Sequence, residues 1–182
     1  LTGTKKYYTG TDRGVLFKMD NGTYGPGVPW QGLTGITESP SGAEETALWA
    51  DNQKYGSLYS NEEFGYTITA YDCPEEFDEC DGTVEVADGV TIGAQNRKSF
   101  GFSYRTLIGN DTQKNDYGYK IHLVYGSTAS VSEKSHSTVN DSPEAEEMSW
   151  DCTTIPVPVT GFKPTAHMVI DSTKTPKAKL EA

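Results

Sequence analysis

At 182 residues the chain can form one domain with a proper core, or one domain plus extended arms. It carries 26 Asp and Glu against 15 Lys and Arg, a net charge of −11 and the wrong sign for a nucleic-acid binder. No apolar run reaches the length of a membrane span, while 19 Gly, 11 Tyr and many Thr and Val point to strands joined by turns.

The first alternating run, Val15, Phe17 and Met19 against Leu16 and Lys18, stops at the turn signal Asp20-Asn21-Gly22. Val28 to Glu38 reads as a second strand, with Pro29 near its start and Gly32 and Gly35 suggesting a bulge or a close backbone approach. A third strand runs through "ETALWADN", and "NQKYGSLYSNEEFG" is a hairpin or long connection. In "GYTITAYD", Tyr66, Ile68 and Ala70 share one face and Thr67, Thr69 and Tyr71 the other. "DCPEEFDECDG" has the marks of a short helix. Asp72 is placed to cap, Pro74 sits near the first turn, Glu75 and Glu76 oppose the dipole, and Gly82 ends it.

"TVEVADGVTIG" reads as a linking segment with a turn at Asp88-Gly89. In the next strand Phe100, Phe102 and Tyr104 share one face and Gly101, Ser103 and Arg105 the other. In "YKIHLVYGSTASVS" the alternation sets Ile121, Leu123 and Tyr125 against Lys120, His122 and Val124, which makes His122 a surface residue. A polar loop leads to a strand through Met148, Trp150 and Cys152, and the last strand runs from His167 to Asp171. The sum is about eight strands and one helix: a mainly β chain, built as a β-sandwich or barrel-like domain with a short flanking helix and long loops.

Catalytic signatures are missing. There is no GxSxG, HExxH, P-loop or GxGxxG. His122, His136 and His167 are scattered, and no motif pairs any of them with a nucleophilic Ser or Cys. Acidic doublets such as Glu62/Glu63 are expected in so acidic a chain, and neighbours on a strand point to opposite faces. Cys73, Cys80 and Cys152 show no zinc spacing and read as small, reduced, buried hydrophobes. The expectation is a non-enzyme with no cofactor and no metal.

Charge is unevenly distributed. Between Met19 and Asn96 Lys54 is the sole cation among many acids, whereas Lys5, Lys6, Arg13 and Lys18 lie near one end and Lys163, Lys174, Lys177 and Lys179 near the other. An acidic body with basic ends suits self-association.

Residues 48–82, "LWADNQKY…GYTITAYDCPEEFDECDG", resemble the major tail tube proteins of long-tailed, siphovirus-type bacteriophages. The matching positions are Ala50, Asp51, Asn52, Tyr55, Gly65, Ile68, Pro74, Phe77 and Gly82. The similarity continues in order through "TYGPGVPWQGLTGITESPSG", "KSFGFSYRT" and "YKIHLVYGSTASVSEKSHSTVNDSPEAEEMSWDCTTIPV", covering roughly residues 20–171. The helix departs from the family pattern, with "FDECDG" where Leu or Ile more often precedes the Gly.

The resemblance implies a single tail-tube domain over 1–182, with an N-terminal arm of about residues 1–14 and a C-terminal arm of about 172–182. Both arms are expected to be mobile in the monomer. It also implies hexameric rings stacked into a tube, in a virion assembled in the host cytoplasm, with DNA leaving through the lumen unbound. Tape-measure and tail terminator or tip proteins are the implied partners. A conduit that must not grip phosphate favours acid on its wall. Glu62, Glu63, Asp72 and Glu85 are the expected lumen-facing acids. Trp49, Asp51, Lys54, Tyr55, Lys5, Lys6, Lys177 and Lys179 are the expected inter-subunit contacts. The competing reading is a non-enzymatic carbohydrate- or host-binding β-sandwich module of a tail tip or cell surface, its aromatics forming a platform.

Overall fold

The computed structural model describes residues 2–181; Leu1 and Ala182, the outermost residues of the two expected arms, lie outside them. In chain order come β1 (Lys6–Asp20), β2 (Thr23–Trp30), β3 (Leu33–Glu38), β4 (Glu45–Ala50), β5 (Gln53–Tyr59) and β6 (Gly65–Ala70). A 3-10 turn, Glu75–Phe77, runs into α1 (Asp78–Asp81). Then follow β7 (Val84–Ala87), β8 (Val90–Ile92), β9 (Phe100–Asn110), β10 (Lys114–Ala129) and β11 (Met148–Thr154). The chain ends with β12 (Val157–Val159), β13 (Phe162–Thr165), β14 (His167–Asp171) and α2 (Lys177–Leu180). The protein is mainly β, and its strand pairs are antiparallel.

One 8-stranded sheet, in the order β2-β1-β9-β10-β11-β6-β3 with β14 also on β10, forms the body. β4–β5, β7–β8 and β12–β13 are separate two-stranded hairpins. The sheet turns a corner within β10. On its edge away from β9, β10 pairs with β14 as far as Val124, then with β11 from Ser127. Between these points a bulge places Gly126 at φ +59, and a Cβ there would sit 2.6 Å from the Ile155 carbonyl oxygen. Only glycine fits that approach.

The corner brings the two limbs of the sheet face to face over an aromatic core. Trp30, Phe77 and Trp150 pack mutually, with ring centroids 4.7–5.5 Å apart. Phe100 and Phe102 from β9 add edge contacts to Phe77 and Trp30. Tyr66, Ile68 and Ala70 are buried, as the alternation in β6 predicts. Each fully buried ring of this kind contributes a few kcal/mol by area, with about 1 kcal/mol more from edge-to-face geometry. Phe77 and Cys80 carry the helical segment into the core, and Gly82, at φ 80, closes it. Glu79 tethers α1 to Lys98 at 2.8 Å and Lys18 at 3.2 Å. Asp72 does not cap: Pro74 holds the N-cap position, and the Asp72 carboxylate accepts the backbone N–H of Cys73 instead.

Several expectations need correction. Residues 6–14 are not a free arm but the first half of β1, paired with β9 from Lys6↔Asn110 onward. Val28–Glu38 is two strands, broken at Gln31-Gly32, where Gly32 takes φ 72. The segment after α1 is a hairpin, β7–β8, with both strands exposed. The phase of β10 is reversed. His122 and Val124 face the core, while Ile121 and Leu123 lie half-buried on the other face. That second face has its own apolar cover, since Phe17, Tyr24, Leu123 and Tyr125 line a shared pocket there.

Candidate functional site

Two regions bring together side chains suited to binding or chemistry. The first is the β4–β5 hairpin. Its turn residues Asp51 and Asn52 both have positive φ, 51 and 61, as a two-residue turn between antiparallel strands requires, and Asp and Asn tolerate that conformation best after Gly. Glu45 accepts hydrogen bonds from Lys54 and Ser57 across the ladder, and those bonds hold its carboxyl below the usual range. Leu48, Trp49, Tyr55, Leu58 and Tyr59 remain exposed, Trp49 at 70% and Tyr55 at 81%. Of the expected contact residues, Trp49, Asp51, Lys54 and Tyr55 thus share one projecting element.

The terminal lysines are elsewhere. Lys6 lies over the Tyr117 ring at 5.1 Å, Lys5 precedes β1, and Lys177 pairs with Glu181 within the α2 segment that also holds Lys179. The four expected lumen acids are all exposed and sit on three segments. Glu62 and Glu63 flank the base of the β4–β5 hairpin, where Glu63 bridges Ser41. Asp72 precedes the helical turn, and Glu85 on β7 accepts the Gly89 N–H at 2.8 Å. Of the three tryptophans, Trp30 and Trp150 are core and Trp49 alone is exposed.

The second region was not anticipated from the sequence. Register places His122 beside Tyr104 of β9 and Val124 beside His167 of β14, so both imidazoles lie on the inner face. Glu38, the last residue of β3, reaches them from the opposite limb. His122 Nδ1 stands 3.1 Å from His167 Nε2 and 3.4 Å from Glu38 Oε1, and His167 Nε2 is 3.9 Å from the same oxygen. Tyr104 donates its hydroxyl to Glu38 Oε1 at 2.6 Å, and the Thr106 hydroxyl meets His122 Nε2 at 3.0 Å. The rings are clamped by stacking, Tyr104 on His122 at 4.5 Å and Phe64 on His167 at 4.3 Å.

Burial dominates the electrostatics here. It pushes both imidazoles below their ordinary 6.5, against the pull of the Glu38 carboxylate, so both are neutral at neutral pH. Burial, reinforced by the bond to Glu38, drives the Tyr104 hydroxyl well up and keeps it a donor. The cysteines take no part. Cys73, Cys80 and Cys152 are free thiols, and burial raises them to about 11, about 12 and about 12.

The expectation that His122 is a surface residue is therefore wrong: it is 8% exposed. The third histidine, His136, is exposed in the loop after β10, 2.8 Å from Glu146. No protein-family model matches the chain, and no curated protein matches it.

Proposed function

We propose that this chain is a structural, self-assembling subunit: the building block of a long-tailed phage tail tube, stacked as hexameric rings around an acid-walled conduit for DNA. The observation that carries the reading is the β4–β5 hairpin. A stiff sheet with a dense aromatic core projects a ribbon whose aromatic and aliphatic side chains stay largely exposed among the described residues. An exposed apolar patch of this kind on a soluble chain marks an interaction surface. A second copy is a fitting partner, because the basic chain ends complement the acidic body. Tape-measure and terminator or tip proteins would meet the same tube at its axis and ends.

The test is negative-stain electron microscopy of the purified chain at high concentration and several salt levels. Hollow tubes or stacked rings are expected, lost in a Trp49→Ala/Tyr55→Ala variant. A monomer under every condition, in both forms, would remove the reading. One observation favours a second reading. Trp49, Tyr55 and Tyr59 on one ribbon also suit stacking against sugar rings in a host-binding module. Glycan binding by a monomer that never assembles would decide for it.

A further inference from the structure

We propose that Glu38, His122 and His167 form a binding site for a divalent transition-metal ion of the zinc class, which ties the two limbs of the sheet together. The three donor atoms, separated by 3.1, 3.4 and 3.9 Å, lie on a circle of about 2 Å radius, the length of a zinc–imidazole or zinc–carboxylate bond. A single ion in front of all three therefore meets ordinary bond lengths without moving the backbone. Two imidazole nitrogens and one carboxylate oxygen suit zinc, cobalt or nickel; calcium and magnesium want oxygen throughout.

The surroundings match what ligands of such an ion need. His122 Nε2 lies 3.0 Å from the Thr106 hydroxyl, and in the tautomer in which Nε2 donates to that hydroxyl the Nδ1 lone pair is left for the metal. Tyr104 fixes Glu38 through the same oxygen that would bind, and that oxygen has a second lone pair to give. Stacking by Tyr104 and Phe64 removes the ring freedom that binding would otherwise have to freeze. Without an ion, one proton shared between His122 Nδ1 and His167 Nε2 is the only favourable filling of a 3.1 Å gap between two imidazole nitrogens. Glu38 keeps its side chain 39% exposed, so ions enter from its side and a water completes the coordination. The three ligands come from β3, β10 and β14, so an ion there would link the far end of one limb to the middle of the other.

The experiment uses the full chain, stripped with a chelator and titrated with Zn²⁺ by calorimetry, then with Co²⁺ by absorption. One ion per chain is expected. Co²⁺ should give visible d–d bands and no sulfur-to-cobalt charge transfer, which excludes the three cysteines. Glu38→Gln, a near-isosteric change at a half-exposed position, and His167→Asn should each weaken binding at least tenfold. His136→Asn should leave it unchanged. A rise in Tm with saturating Zn²⁺ should vanish in Glu38→Gln. Absence of binding at a hundred micromolar Zn²⁺ would overturn the proposal, as would binding that survives a His122→Gln/His167→Asn double variant or needs a cysteine. Because the wild-type Co²⁺ spectrum reports its own ligands, the proposal is decided even if a variant misfolds. Assembly into tubes is a separate readout, so this site can fail while the assembly reading stands.

Discussion

The indole N–H of Trp30 donates to the backbone carbonyl of Asp72 at 2.8 Å, joining the end of β2 to the turn that opens the helical segment. Trp150, packed against the same Trp30 ring, buries its own N–H with no hydrogen-bond partner among the described residues. The two residues remove the same chemistry when changed to Phe, yet the outcomes should differ. Trp30→Phe gives up volume and a satisfied bond and leaves the Asp72 carbonyl alone, a cost of about 2–4 kcal/mol. Trp150→Phe gives up volume but also an orphaned donor, and should cost at least about 1 kcal/mol less. Urea unfolding of both variants measures this; equal costs would contradict it.

Gly126→Ala should be among the most damaging small changes in the chain. It adds one methyl at φ +59, against a backbone oxygen that cannot move aside without breaking the β10–β11 corner. The expected loss is about 2 kcal/mol or more, read from the urea midpoint. Gly22→Ala, also at positive φ but with open space around it, separates the two contributions: it should cost only the conformational part, about 1 kcal/mol.

Acid should weaken the fold in a defined window. Arg105, donating to Asp12 at 2.7 Å, holds that carboxyl below its ordinary 3.8, and Lys98 with Lys18 holds Glu79 below its ordinary 4.5. A carboxyl depressed in the folded state contributes its full stability above the unfolded value and loses it as the pH falls through the folded one. These two carboxylates should therefore add nothing to the pH dependence above about pH 5 and a decline in Tm below it. Both carboxylates are well exposed, so each accounts for less than about 1 kcal/mol. Asp12→Asn combined with Glu79→Gln should make the acid decline shallower; an unchanged slope would show that other groups govern it.

On the β4–β5 ribbon, Trp49→Ala and Tyr55→Ala should leave the monomer's stability within about 0.5 kcal/mol, since neither ring is covered. Sedimentation at rising concentration should show association falling sharply. If charge complementarity between basic ends and acidic body contributes, association of the wild type should also weaken as salt rises past about 0.1 M.

How far the fold could be read in advance depended on how many faces of a strand are apolar. β6 buries one face, and β9 buries its large side chains on one face; Tyr66/Ile68/Ala70 and Phe100/Phe102/Tyr104 announce this by simple alternation. β10 is apolar on both faces, because Leu123 and Tyr125 cover Phe17 and Tyr24 on the outside. Alternation then has no preferred phase, and it puts His122 on the wrong side. β7–β8 has no buried face at all, so its valines gave no strand signal beyond the Asp88-Gly89 turn. β1 hid its first half because the polar, Tyr-rich Lys6–Asp12 stretch reads as surface, yet it pairs along β9. The Glu38–His122–His167 cluster was illegible for another reason. Its members stand 45 and more residues apart in sequence, and only the register of β10 with β14 and the fold-over of β3 bring them together.

The pairing of β1 with β9 also fixes an order of events during synthesis. Asp12 and Arg105, which meet across these strands, are 93 residues apart. When the first strand leaves the ribosome, its central neighbour in the finished sheet has not been made. It must wait as an unpaired edge while β3 to β8 emerge, and a sheet closed by so distant a contact is slow to nucleate. Lys6 and Arg13, set along that waiting strand, are the kind of charges that keep an open edge from pairing with another chain too early.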